Sequence, residues 1–188
     1  MLKNSALIVT DIQNDFCPGG ALPVSEGDKI IPTVNRYIER FEKANSLVIA
    51  SRDWHPKNHI SFKSRGGIWP EHCVQNTKGA EFHPNLRLPK KVQVISKADN
   101  PDKEAYSVFQ GTGLDALLRK NAIKELFVAG LTTDYCVKNT VIDGLAMGYK
   151  VYLLVDAIKG VEVNPGDSQR AIEEMISKGA IKIDELEQ

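Results

Sequence analysis

At 188 residues, with 42% hydrophobic and 26% charged side chains, the chain has the composition of a soluble globular protein able to bury a sizeable core. Its 24 basic residues balance its 24 acidic ones, and no block of like charge stands out. This excludes a nucleic-acid footprint and a polybasic membrane patch, and it points to a small ligand.

In chain order, the opening segment has too short an apolar run for a signal peptide before it reaches Asp11. No stretch approaches the roughly 18 apolar residues that a membrane-spanning helix needs. A β-branched run predicts a strand at 6–10, and apolar residues at three-to-four spacing predict a helix at 30–43. Strands follow at 47–51 and 92–96, a helix at 114–120, a strand at 125–129, a helix at 136–147, a strand at 151–155 and a helix at 169–178. A weaker strand is expected at 180–183. Asn121, Gly148 and Gly179 stand where helices should stop. This alternation predicts a doubly wound α/β fold: a six-stranded, mostly parallel sheet with helices on both faces, in one domain spanning 1–188.

The long irregular stretch 53–91 holds all four histidines and both tryptophans. A loop this long inside a compact domain is usually functional, so it reads as a site-building insertion. Three cysteines, odd in number and widely spaced, argue against a disulfide framework and for a reducing cytoplasm.

In an open α/β sheet, ligands bind beyond the carboxyl ends of the strands. Asp11, Asp53, Lys97 and the loop leading to Cys136 all follow predicted strands. Any one of them is explained equally by ordinary polar strand ends, but the set is a better match to a reactive centre. Cys136 is expected in the first turn of a helix capped by Thr133 or Asp134, where the helix dipole favours a thiolate. The competing reading is a small cysteine packed under a helix, and Cys17 and Cys73 read that way. Asp53 and His55 share a face if the strand continues, and His72 is placed to return to them. Two imidazoles and a carboxylate suit zinc, iron or manganese. From spacing alone, His59, His83 and Cys73 compete as ligands.

Asp-Ile-Gln-Asn-Asp-Phe at 11–16, Pro-Gly-Gly-Ala-Leu-Pro-Val at 18–24, Ser-Arg-Asp-Trp-His-Pro at 51–56, Trp-Pro-Glu-His-Cys-Val-Gln at 69–75 and Gly-Leu-Thr-Thr-Asp-Tyr-Cys-Val at 130–137 carry a resemblance over almost the whole chain. Together they resemble the nicotinamidase branch of the isochorismatase-like hydrolases. The resemblance implies Asp11 as general base, Lys97 as catalytic lysine and Cys136 as nucleophile. It implies the amides of Thr132 and Cys136 as oxyanion donors after a cis Leu131–Thr132 bond. It implies one divalent ion on Asp53, His55 and His72, zinc first, with iron or manganese as alternatives and Ser61 as a further contact. The implied ligand is a small amide, with no nucleic acid or membrane, and self-association into a homo-oligomer stays open. Phe16, Trp69 and Tyr106 are candidates to pack on a flat ring, though each reads equally as core. Thr132 and Val108 replace the alanine and glycine common in relatives; a backbone donor survives the first change.

Overall fold

The computed structural model describes residues 2–185. Six strands, β1 (Ser5–Thr10), β2 (Leu47–Asp53), β3 (Gln93–Lys97), β4 (Glu125–Leu131), β5 (Lys150–Lys159) and β6 (Ile181–Ile183), form one sheet in the order β3-β2-β1-β4-β5-β6. Every pairing is parallel, where the sequence predicted only a mostly parallel sheet.

A central parallel strand is covered on both faces, and β1 accordingly reads Ser-Ala-Leu-Ile-Val-Thr and is buried throughout. Its pleat sends Leu7 and Val9 to one core and Ala6 and Ile8 to the other. α1 (Ile31–Lys43) closes the first face through Ile31, Val34, Tyr37, Ile38 and Phe41, spaced as one helical stripe. Pro32 suits the first turn, where an N–H would have no intrahelical partner, and Arg40 and Lys43 in the last turn suit the negative end of the helix dipole. Each large apolar side chain buried in that stripe contributes about 1.5–3 kcal/mol. α2 (Leu114–Lys120), α3 (Lys138–Ala146) and α4 (Asp167–Ser177) supply Leu114, Leu118, Val141 and Met175 to the second face. Gly148 and Gly179 follow their helices with positive φ, whereas after α2 the left-handed residue is Ala122, not Asn121.

The sheet winds outward in both directions from β1 and β4, so the crevice opens beyond the carboxyl ends of these two strands. Thr10 pairs with Gly130 there, and a Cβ on Gly130 would lie 2.1 Å from the Thr10 carbonyl oxygen, so only glycine fits. Segment 53–91 folds over this edge with short 3-10 turns and single bridges, including His55 to Val74 and Phe62 to Trp69. Among the described residues no helix is long and apolar enough to cross a membrane.

Candidate active site

The register of the sheet assembles the reactive groups. Asp11 follows β1, while Asp53 and Lys97 end β2 and β3 directly opposite one another. Asp11 (φ 44°) and Ala98 (φ 53°) adopt the left-handed region, which turns the chain sharply at the sheet edge at a cost of about 1–2 kcal/mol each. Strain of this kind concentrates at functional sites.

Lys97 is the hub. Its buried ammonium lies 3.0 Å from Asp11 Oδ2 and 3.4 Å from Cys136 Sγ, pairs with Asp53 Oδ1, and donates to the Ala105 carbonyl at 3.3 Å. Ser51 donates to Asp11 Oδ1 at 2.7 Å, while Asp11 Oδ2 is in ion-pair range of Lys97 but lacks a well-directed hydrogen bond to it. The Cys136 thiol is close enough to act on that carboxylate as a donor.

One lysine facing two buried carboxylates cannot neutralise both. Burial drives Asp11 above the ordinary carboxylate range, and the pull of Lys97 does not cancel it. Burial acts on Asp53 in the same direction, but Lys97, His55 and His72 together hold it below the ordinary range. Burial also opposes the Lys97 charge, yet Asp11 and Asp53 outweigh it and raise the lysine well above its usual value. Burial pushes the Cys136 thiol well up; Lys97 works against this, and Asp11 and Asp53 add to it.

These influences favour the thiol form of Cys136, opposite to the pull toward thiolate expected from a helix start. The cause is burial beside two carboxylates; Cys136 itself lies in a π-helical turn, Thr133–Val137, ahead of α3, and no side chain caps that turn. The Leu131–Thr132 bond before it is cis.

Asp53, His55 and His72 form a second cluster with ligand-type atoms within 4.8 Å of one another. His55 Nδ1 is 3.0 Å from the His72 carbonyl oxygen, and His72 Nδ1 is 2.8 Å from that of Pro70. A carbonyl can only accept, so each Nδ1 carries a proton, and in the neutral ring Nε2 is the nitrogen with the lone pair. That is the arrangement a metal requires of its histidines. Burial lowers the His55 pKa to about 4, which keeps it neutral. Among the competing residues, His59 also groups with His55 and the exposed Glu104. His59 bonds Ser61 Oγ at 2.7 Å and the Lys103 carbonyl at 3.0 Å, which occupies both its nitrogens and the Ser61 hydroxyl. His83 and Cys73 belong to no ligand cluster among the described residues. Asp11, Asp53 and Cys136 also converge, but the Lys97 ammonium already supplies the cation there.

The motif at 11–16 acts as a scaffold, a role its sequence alone did not reveal. Gln13 accepts the Asp53 amide at 2.8 Å and donates to the Asp53 carbonyl at 2.8 Å, clamping the end of β2. Asp15 accepts the Cys73 amide at 2.7 Å, beside His72, and the Phe16 ring meets the His72 ring at 5.5 Å. Sequence spacing gave no signal for this scaffold, because two-residue alternation applies to strands and Asp15 lies in a 3-10 turn, Asn14–Phe16. Trp69 donates to the Tyr106 hydroxyl at 3.0 Å, and Tyr135 packs on both rings at 4.9 and 5.3 Å. The structure thus adds Tyr135 to the aromatic set. A separate cleft of about 1200 Å³ at the opposite end of the strands, around Leu2, Asn45 and Lys91, shares no residue with this site.

The isochorismatase domain family matches residues 5–185, in step with this geometry. The chain belongs to the isochorismatase family. Within it, the chain is 45% identical to the nicotinamidase of Escherichia coli, covering 93% of this chain and 92% of that one. Pyrococcus horikoshii pyrazinamidase, solved in complex with zinc, is 56% identical with a TM-score of 0.92, covering 96% and 98% of the two chains. The yeast nicotinamidase Pnc1p, bound to the inhibitor nicotinaldehyde, is 27% identical with a TM-score of 0.89 over 96% of this chain and 100% of that one. The six-stranded parallel sheet is thus the isochorismatase-like hydrolase fold, with segment 53–91 bringing the histidines to its active edge.

Proposed function

We infer that this chain is a metal-dependent cysteine amidohydrolase that converts nicotinamide to nicotinate and ammonia, a step of NAD salvage, and that it also accepts pyrazinamide. The observation that carries this reading is the buried Lys97 ammonium, 3.0 Å from Asp11 and 3.4 Å from Cys136 Sγ, beside a carboxylate–bis-imidazole cluster. The nicotinamidase and pyrazinamidase relatives support the substrate.

In the mechanism these residues support, Asp11 Oδ2 takes the Cys136 proton as sulfur attacks the carboxamide carbon. The raised Asp11 carboxyl can hold that proton, and Lys97 compensates the charge left between them. The amides of Thr132 and Cys136 receive the oxyanion. Asp11 then delivers the proton to the departing nitrogen, the C–N bond breaks, ammonia leaves and a thioester remains. Asp11 next deprotonates a water that attacks the thioester, and returns that proton to the sulfur as nicotinate forms. A divalent ion held by Asp53, His55 and His72, zinc in our reading, would supply a Lewis-acid anchor for the ring nitrogen. Phe16, Trp69, Tyr106 and Tyr135 supply aromatic faces for the flat ring.

The N-carbamoyl amide reading is disfavoured by the Asp53, His55 and His72 cluster. Ammonia release from nicotinamide, pyrazinamide and an N-carbamoyl amide tests the choice. Release from the first two is expected, and turnover of only the third would overturn the assignment.

A further inference from the structure

We propose that Asp134 is a positioning residue for the nucleophile: its carboxylate ties the Thr133–Val137 turn to the backbone that follows β5, and so fixes where the Cys136 sulfur stands relative to Asp11 and Lys97. Asp134 is 6% exposed and caps no helix. Its Oδ1 accepts the Val161 amide at 3.0 Å and its Oδ2 accepts the Glu162 amide at 2.8 Å. Two consecutive amides on one carboxylate form a charge-assisted, two-point clamp that resists both sliding and rotation.

The other side of the clamp is built to be firm. β5 pairs Leu153 with Val128 but Ile158 with Gly130, so an irregularity carries its last residues back alongside the end of β4. Gly160 follows, where a Cβ would lie 3.1 Å from Asp134 Oδ1 and 1.9 Å from Ser168 Oγ, so a side chain there would displace the Ser168 hydroxyl and crowd the Asp134 carboxylate. Glu162, held at φ 55°, accepts the amides of Gly166 and Ser168, both at 2.8 Å, and so anchors the segment to the start of α4. Asp134 thus grips a supported strand exit. On the near side, Val137 and Tyr135 donate to the Thr132 carbonyl at 3.0 and 3.2 Å, which makes the turn one unit carrying Cys136. Catalysis depends steeply on such placement, since an error of about 1 Å costs on the order of 10²-fold.

This inference rests on the nicotinamidase reading, so two readouts are taken on metal-replete protein: kcat and KM for nicotinamide, and the rate of Cys136 alkylation by iodoacetamide. Asp134→Asn replaces one acceptor by a donor that faces an N–H. It is expected to lower kcat by at least about tenfold with KM changed less than about threefold, and to alter the alkylation rate. Glu162→Gln weakens the same segment on the side away from the turn. It leaves both Asp134 bonds in place, so it is expected to lower Tm and to cost clearly less kcat than Asp134→Asn. Wild-type kcat and alkylation in Asp134→Asn would overturn the proposal, as would equal kcat losses in the two variants. Should Asp134→Asn not fold, Gly160→Ala loads the clamp from the opposite side, and unchanged kcat and alkylation there would overturn it too. If wild type releases no ammonia from nicotinamide, the functional reading fails, and alkylation alone still decides the role of Asp134.

Discussion

Lys97 and Asp53 end neighbouring strands in direct register and form a buried ion pair, so one carboxylate faces both the reactive cysteine and the two histidines. The spacing of residues in the chain suggests two separate groups; the sheet makes them adjoin. Lys97 is consequently the charge on which two buried carboxylates depend.

Replacing Lys97 by Met should lower folding stability by about 3–5 kcal/mol, because it leaves those carboxylates uncompensated. Without the ammonium, both folded-state pKa values lie above the unfolded ones. The folded chain then binds more protons than the unfolded chain, so the variant loses stability as pH rises. Urea unfolding should show a larger deficit at pH 8 than at pH 5. A deficit independent of pH would mean that Asp11 and Asp53 do not rely on Lys97.

Cys136→Ala should abolish hydrolysis of nicotinamide while the ligand still binds, because the aromatic and metal-ligand residues are untouched. Calorimetric binding and an ammonia assay check this. Turnover within a few fold of wild type would exclude covalent catalysis through Cys136.

Asp11→Asn separates two roles. As general base, Asp11 should account for at least about 10²-fold in turnover. As a negative neighbour it raises the Cys136 pKa, so its neutralisation should lower that pKa and speed alkylation by iodoacetamide at neutral pH. Slower turnover with faster alkylation is the expected pair. Slower alkylation would show that Asp11 promotes the thiolate, contrary to the electrostatics of the site.

Much of this was legible in the sequence for simple reasons. Buried parallel strands have an apolar signature, and Asp11, Asp53 and Lys97 stood at or just beyond their ends. The π-helical turn was not legible, because its Val137-to-Thr132 bond depends on backbone geometry and not on helix propensity. The sequence offered Thr133 or Asp134 as a cap because such residues before a helix usually are; a partner 27 residues away claimed Asp134 instead. His59 and His72 looked alike as loop histidines; both rings meet a carbonyl, and the Ser61 hydroxyl on the second nitrogen of His59 distinguishes the engaged one from the available one.

Removal of His72 should lower the metal content of the purified protein from near one ion per chain, whereas His83→Ala should not. His83 lies outside every described ligand cluster. Elemental analysis decides this without an activity assay. A ratio unaffected by His72→Ala would move the site elsewhere, with Cys73 and His59 the next residues to test.

The metal-free protein should also carry a pH signature of His55. Its folded-state pKa of about 4 lies below the ordinary histidine value, since burial and the neighbouring His72 oppose protonation more than Asp53 favours it. Above the unfolded pKa of about 6.5 both states hold a neutral imidazole, and the stability is intact. As pH falls through that value, the unfolded chain takes up a proton that the folded chain refuses, so stability declines until the folded pKa is reached. The window is therefore pH 6.5 to 4, and the loss amounts to about 3 kcal/mol at most. A bound ion uses the same neutral nitrogen, so saturating metal should add stability at pH 7 that drains away over this range. Urea unfolding of chelated wild type and His55→Asn from pH 7 to 4 isolates the effect, because the asparagine variant lacks the titrating group. Parallel stability curves for the two would show that His55 is not held neutral by its burial.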